Sequence, residues 1–104
     1  MAELALDISA HHLAMVQAIL QRHIPQHTVW AFGSRVKGTA KPYSDLDLCV
    51  LSDNPLDYSV LASLADDFTE SDLPWRVDIV DWAATQESFR NIILQDKVVL
   101  QGAN

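Results

Sequence analysis

The sequence predicts an α/β (α+β) domain: a small mixed β-sheet of about four strands with helices packed on it. Three observations lead there. Helix-like and strand-like segments alternate in the order α-β-(turn)-β-α-β-α-β. The strand candidates are short and rich in Val, Leu, Ile and Trp. The 104 residues show no internal repeat and no linker, so the expectation is a single domain over residues 1–104.

The first element is a helix over about residues 9–24. Leu13, Val16, Ile19, Leu20 and Ile24 recur at helical spacing, Ser9 is placed to cap its start, and Pro25 ends it. Thr28-Val29-Trp30-Ala31-Phe32 reads as a strand stopped by Gly33. Residues 33–44 form a loop with room for a helical turn, punctuated by Gly38 and Pro42. The second strand runs from Asp45 to Leu51, and Asp53-Asn54-Pro55 turns the chain. A helix over about 57–70 places Leu61, Leu64 and Phe68 on one face. The third strand is 75–81, after Pro74. Thr85 or Ser88 can cap a last short helix with Phe89, Ile92 and Ile93 facing inward, and Val98-Val99-Leu100 can add an edge strand.

Charge narrows the function classes. The formal net charge is -7, with 20% charged residues, which argues against direct nucleic-acid binding through clustered Lys and Arg. It suits a cation, or a ligand that arrives with one. The single cysteine, Cys49, excludes an internal disulfide and fits a reducing compartment. No apolar run approaches the roughly 20 residues of a membrane span. The start Met1-Ala2-Glu3 lacks the features of a signal peptide, so the expected setting is cytoplasmic.

Two local features carry chemistry. Gly33-Ser34 ends an apolar strand. A glycine there lets a ligand approach the backbone, and a serine opening a helical turn offers a hydroxyl and free N–H groups to phosphate oxygens. Taken alone, the pair also fits a simple strand-ending turn. Asp45 and Asp47 are two apart on a strand and share a face. Such a pair repels itself, yet Leu48, Val50 and Leu51 draw this strand into the sheet. Paired acids at the head of an inner strand suit a hard cation such as Mg²⁺. Asp78 stands among Val77, Ile79 and Val80 and can join the site if its strand lies beside the second. Asp81, on the opposite face, reads as a strand-end or capping residue.

Gly33-Ser34, ten intervening residues, Asp45-x-Asp47 and a later strand Asp78 resemble the nucleotidyltransferase superfamily of DNA polymerase beta. Gly33-Ser34-Arg35-x-x-Gly38 and Ser44-Asp45-Leu46-Asp47-Leu48 are similar to its minimal branch, the MNT antitoxins of HEPN/MNT toxin–antitoxin modules. The resemblance spans nearly the whole chain. It implies an Mg²⁺-dependent enzyme, with two ions held by Asp45, Asp47 and Asp78 and with ATP as donor. Gly33, Ser34 and Arg35 then bind the nucleotide phosphates. Lys37 and Lys41 are either further phosphate contacts or solvated loop cations. The implied partner is a HEPN toxin, a small helical and often RNA-cleaving protein, with AMP transferred to one of its tyrosines. Transfer to a small hydroxyl compound and neutralisation by contact alone are the alternatives.

The remaining reactive residues have plainer expectations. His11, His12, His23 and His27 read as surface residues, and adjacent His11 and His12 point about 100° apart on a helix. Cys49 reads as an inert core thiol. Trp30, Trp75 and Trp82 read as core or interface anchors. Arg76, two residues before Asp78, can pair with the acids or reach a substrate.

Overall fold

The computed structural model describes residues 6–103. It contains α1 (Ala10–His23), β1 (Val29–Phe32), α2 (Ser34–Lys37), β2 (Leu46–Val50), α3 (Tyr58–Glu70), β3 (Val77–Asp81), a 3₁₀ turn (Trp82–Ala84), α4 (Glu87–Gln95) and β4 (Val98–Gln101). The four strands form one sheet in the order β3-β2-β1-β4. β1 runs antiparallel to both neighbours, and β2 and β3 run parallel, joined by α3 as the crossover. The expected mixed sheet and element order are thus both present, with β4 at one edge.

Strand alternation divides the sheet into two unlike faces. Leu46, Leu48 and Val50 of β2, with Val29 and Ala31 of β1, are fully buried in the main core. Val16, Ile19 and Leu20 of α1 and Leu64 and Phe68 of α3 cover this face. The intervening residues, Phe32 and Cys49, turn to the other face and pack against Ile93 of α4. α4 is short, so it covers only part of that face. The uncovered part carries Asp47 and Asp78.

Helix ends follow local chemistry. The Ser9 hydroxyl accepts from the His12 N–H at 3.2 Å, as its sequence position implies. Asp81 caps the 3₁₀ turn through the Ala83 N–H, and its carboxylate also accepts from the Ser52 hydroxyl and the Leu56 N–H. It is a capping residue, as expected. The cap of α4 differs from expectation. Gln86 occupies that position without a side-chain bond, while the Thr85 hydroxyl donates back to the Asp81 carbonyl.

The histidines also differ. Only His11 is exposed. His12 packs edge-on against Trp75, His23 bonds the Asp67 carboxylate at 2.9 Å, and His27 bonds the Leu51 carbonyl at 2.9 Å. They anchor α1 and its exit to the rest of the fold. Among the described residues no helix is long and apolar enough to cross a membrane.

Candidate active site

Parallel pairing sets the site. In the β2–β3 register Asp47 stands directly opposite Asp78, and Asp45 leads into β2 one residue before its start. Neighbouring strands lie ~4.8 Å apart, and residues in register project to the same face. The fold therefore forces two carboxylates together, and the Asp45 carboxyl lies against Asp78. Burial raises the pKa of Asp47 first, and the charges of Asp78 and Asp45 push it further. Asp78 is raised by burial, then by a hydrogen bond and charge from Asp45, with Arg76 opposing weakly. The Arg76 guanidinium reaches the Asp78 carboxylate at 3.5 Å but is itself 81% exposed, so it relieves little.

Gly33 closes the site from β1. Phe32 pairs with Asp47 across the antiparallel ladder, so the next residue turns over the Asp47 carboxylate. Gly33 has φ 83° and ψ -156°, a region open essentially to glycine alone. A Cβ at this position would collide with the Asp47 carboxylate oxygen. The glycine is thus required twice, for its backbone angle and for its missing side chain. Ser34 begins α2, and the first N–H groups of a helix have no partner within it. The Gly33 carbonyl accepts from Val36 and Lys37, which fixes the turn.

Arg35 departs from the expected phosphate contact. It is only 5% exposed, and its guanidinium donates to the carbonyls of Ser44, Asp7, Pro42 and Lys41. Its planar face stacks on Trp75, 4.7 Å from the ring centroid. With its donors committed to backbone, Arg35 ties the 38–45 loop to α2 and so positions Asp45. Lys37 lines the cavity beside the carboxylates. Lys41 is exposed in the loop and does not line it.

The cavity has a volume of about 550 Å³, bounded by Gly33, Lys37, Asp47 and Asp78 on one side. Phe89 and Ile92 of α4 form its apolar wall. Sequence reading placed both in the core, but they are 37% and 47% exposed, and only Ile93 of that trio is buried. α4 crosses too small a sheet face to bury all three. Phe89 is held edge-on by Phe32, with ring centroids 5.7 Å apart. The available signal was an apolar surplus: α4 carries more large apolar side chains than one short helix can bury. Cys49 is fully buried beneath the site, and burial with the nearby Asp81 charge pushes its thiol up to about 11, which keeps it unreactive.

Among the described residues no three His, Cys, Asp or Glu side chains are already arranged to hold a metal. The chemistry nonetheless fits. All the donors are carboxylate oxygens, burial and then their mutual repulsion raise the pKa of Asp47 and of Asp78, and a cation would take the place of the Asp45–Asp78 contact.

A four-stranded mixed sheet with a glycine turn over paired strand carboxylates defines the class as nucleotidyltransferase. The model of the family "Polymerase beta, Nucleotidyltransferase" matches residues 15–104, and the chain belongs to that family. The chain is 58% identical over 96 residues to the probable protein adenylyltransferase MntA of Haemophilus influenzae, covering 92% of this chain and 84% of the relative. Its fold is similar to a crystal structure of a toxin–antitoxin with AMP-PNP, at TM-score 0.72 and 26% identity, over 92% of this chain and 76% of the other. A chain in the structure of a tri-AMPylated Shewanella oneidensis HEPN toxin in complex with MNT antitoxin has a similar fold, at TM-score 0.67 and 24% identity, over 89% of this chain and 71% of that one.

Two outcomes follow from this geometry. A carboxylate whose folded pKa is raised destabilises the protein above that pKa and not below the unfolded value near 3.8. Asp47→Asn in metal-free buffer should therefore raise stability at pH 7, with the gain shrinking as pH falls toward 4. Urea denaturation at both pH values measures this. Arg35→Lys should cost about 1–3 kcal/mol, because one ammonium cannot satisfy the carbonyls that the guanidinium bridges. Thermal and urea unfolding read that loss.

Proposed function

We propose that this chain is an Mg²⁺-dependent protein adenylyltransferase that serves as antitoxin, transferring AMP from ATP to a tyrosine of a cognate HEPN toxin. One observation carries the reading: paired strand carboxylates under a glycine turn, in a chain 58% identical to a probable protein adenylyltransferase. Similarity to a toxin–antitoxin structure with AMP-PNP supports both the nucleotide and the partner. A cytoplasmic setting, with its ATP and its reduced thiols, fits the single buried Cys49.

Asp45, Asp47 and Asp78 would hold the cation, and two ions suit the number of carboxylates. When bound, the cation supplies positive charge to the phosphate oxygens and steadies the attacking and leaving oxygens. The chain's own residues do the rest. Gly33 and Ser34 present backbone N–H groups and a hydroxyl to the β- and γ-phosphates, and Lys37 adds charge from the cavity wall. Phe89 and Ile92 hold the nucleoside against an apolar surface. The tyrosine oxygen forms a bond to the α-phosphorus as the bond from that phosphorus to the α–β bridging oxygen breaks. Pyrophosphate leaves with the electron pair, and the hydroxyl proton passes to Asp78. AMP on the toxin adds bulk and negative charge, which repels RNA phosphates.

Mass spectrometry of the toxin after incubation with this protein, ATP and Mg²⁺ tests the reading. A mass gain of AMP units is expected, and none with Asp45→Asn or Asp47→Asn. An unmodified toxin inhibited equally by all three proteins would establish contact-only neutralisation instead. Phe89→Ala should raise the KM for ATP about tenfold while leaving inhibition by tripolyphosphate unchanged, since only the nucleoside loses its wall.

A further inference from the structure

A second and larger cavity, of about 660 Å³, lies on the opposite side of Asp78. It is a groove between α3 and the outer edge of β3. Asp78 and Ile79 line both cavities, so the two meet at the carboxylate proposed to accept the proton. The groove has no glycine turn and no lysine, and its one cationic lining residue, Arg76, is exposed and leans 3.5 Å from the Asp78 carboxylate. The exposed acids Asp57, Asp66, Glu70 and Asp72 lie on or beside α3, and none forms an ion pair among the described residues. Negative charge of that kind repels a nucleotide and attracts a basic partner.

The shape of the groove selects among partners. β3 is the outermost strand of the sheet, paired only with β2 among the described residues. The Leu46 N–H donates to the Arg76 carbonyl at 2.8 Å, so Arg76 turns its backbone toward β2. Alternate residues of a parallel pair turn the other way, and Val77 and Ile79 therefore present N–H and C=O groups to the open edge. The facing surface of α3 is small-sided at Ala62, Ala65 and Thr69. An added strand needs ~4.8 Å beside β3, whereas a helix with its side chains is about 10 Å across.

We propose that this groove receives the acceptor as an extended, basic segment of the partner protein, paired to the open edge of β3. The proposal rests on the transferase reading above. A residue of that segment in register with Asp78 projects to the same face, as Asp47 does from β2. Its hydroxyl then approaches Asp78 from the outer side while the nucleotide occupies the cavity on the inner side. The acceptor and the donor phosphate thus meet over one carboxylate, and the acceptor is selected by backbone pairing and charge as well as by its hydroxyl.

The test fills the groove from the helix side. Ala65 and Thr69 are exposed on α3, so Ala65→Trp and Thr69→Arg leave the core untouched. AMP transfer to the co-expressed HEPN toxin should fall about tenfold or more in each, while affinity for a fluorescent ATP analogue stays at the wild-type value. Amide exchange at Val77 and Ile79 should slow when the toxin binds the wild-type protein. Wild-type transfer rates in both variants, or unchanged exchange at both amides in an active complex, would overturn the groove and leave the transferase standing. A wild-type protein that transfers no AMP to the toxin would remove the transferase reading and this proposal with it.

Discussion

Everything at the site depends on the parallel pairing that sets Asp47 beside Asp78. Two carboxylates in register on adjacent strands repel, and a sheet built for stability alone avoids them. Here the arrangement is held by the residues between and behind them. Leu46 and Leu48, fully buried on the other face, lock the register of β2 against α1 and α3. A slip of one residue would move those leucines out of the core and turn Asp47 into it. The main core thus supplies the restraint that keeps like charges together, and burial, with that like-charge repulsion added, raises the pKa values of Asp47 and Asp78.

The neighbouring elements are shaped by the same crowding. Gly33 must lack a side chain because Asp47 already fills that space. The turn at Gly33 opens α2, and Arg35 on α2 then gathers the carbonyls of the following loop. That loop ends in Ser44, directly before Asp45. One buried guanidinium therefore links the glycine turn to the first carboxylate. Trp75, stacked on Arg35, lies just before β3 and ties the same node to the third carboxylate's strand. Both ends of the acidic cluster converge on a guanidinium whose hydrogen bonds go to backbone carbonyls.

Most of this fold was legible because its signals are periodic. Apolar spacing identified α1 and α3, and alternation identified β2. The Asp45–Asp47 pair was readable as a site because acids at the head of an inward strand contradict ordinary burial. The packing of Arg35 was not legible because sequence shows a cation near a phosphate-type loop and cannot show that its donors reach backbone carbonyls. Phe89 and Ile92 were misread for a related reason. Helical spacing tells which apolar residues share a face, but whether the sheet beneath is wide enough to cover them is a tertiary fact. His12, His23 and His27 likewise gained partners only when α1 packed on α3 and the strand ends. The β2–β3 pairing was conditional in the sequence, since adjacency of strands is decided by the crossover rather than by either strand.

The same logic accounts for where the open surface lies. A four-stranded sheet with two helices on one face and one short helix on the other leaves two regions uncovered: part of the second face and the free edge of β3. They adjoin along β3, where Asp78 and Ile79 border both cavities. A carboxylate there cannot be shielded by the core, because either side must admit a ligand. Nor can it be neutralised by Arg76, whose exposed side chain reaches it only at 3.5 Å. The repulsion at Asp78 is thus a consequence of leaving both approaches open. A cation bound there would relieve it, and its binding free energy would stabilise the same strand pair that the cluster strains.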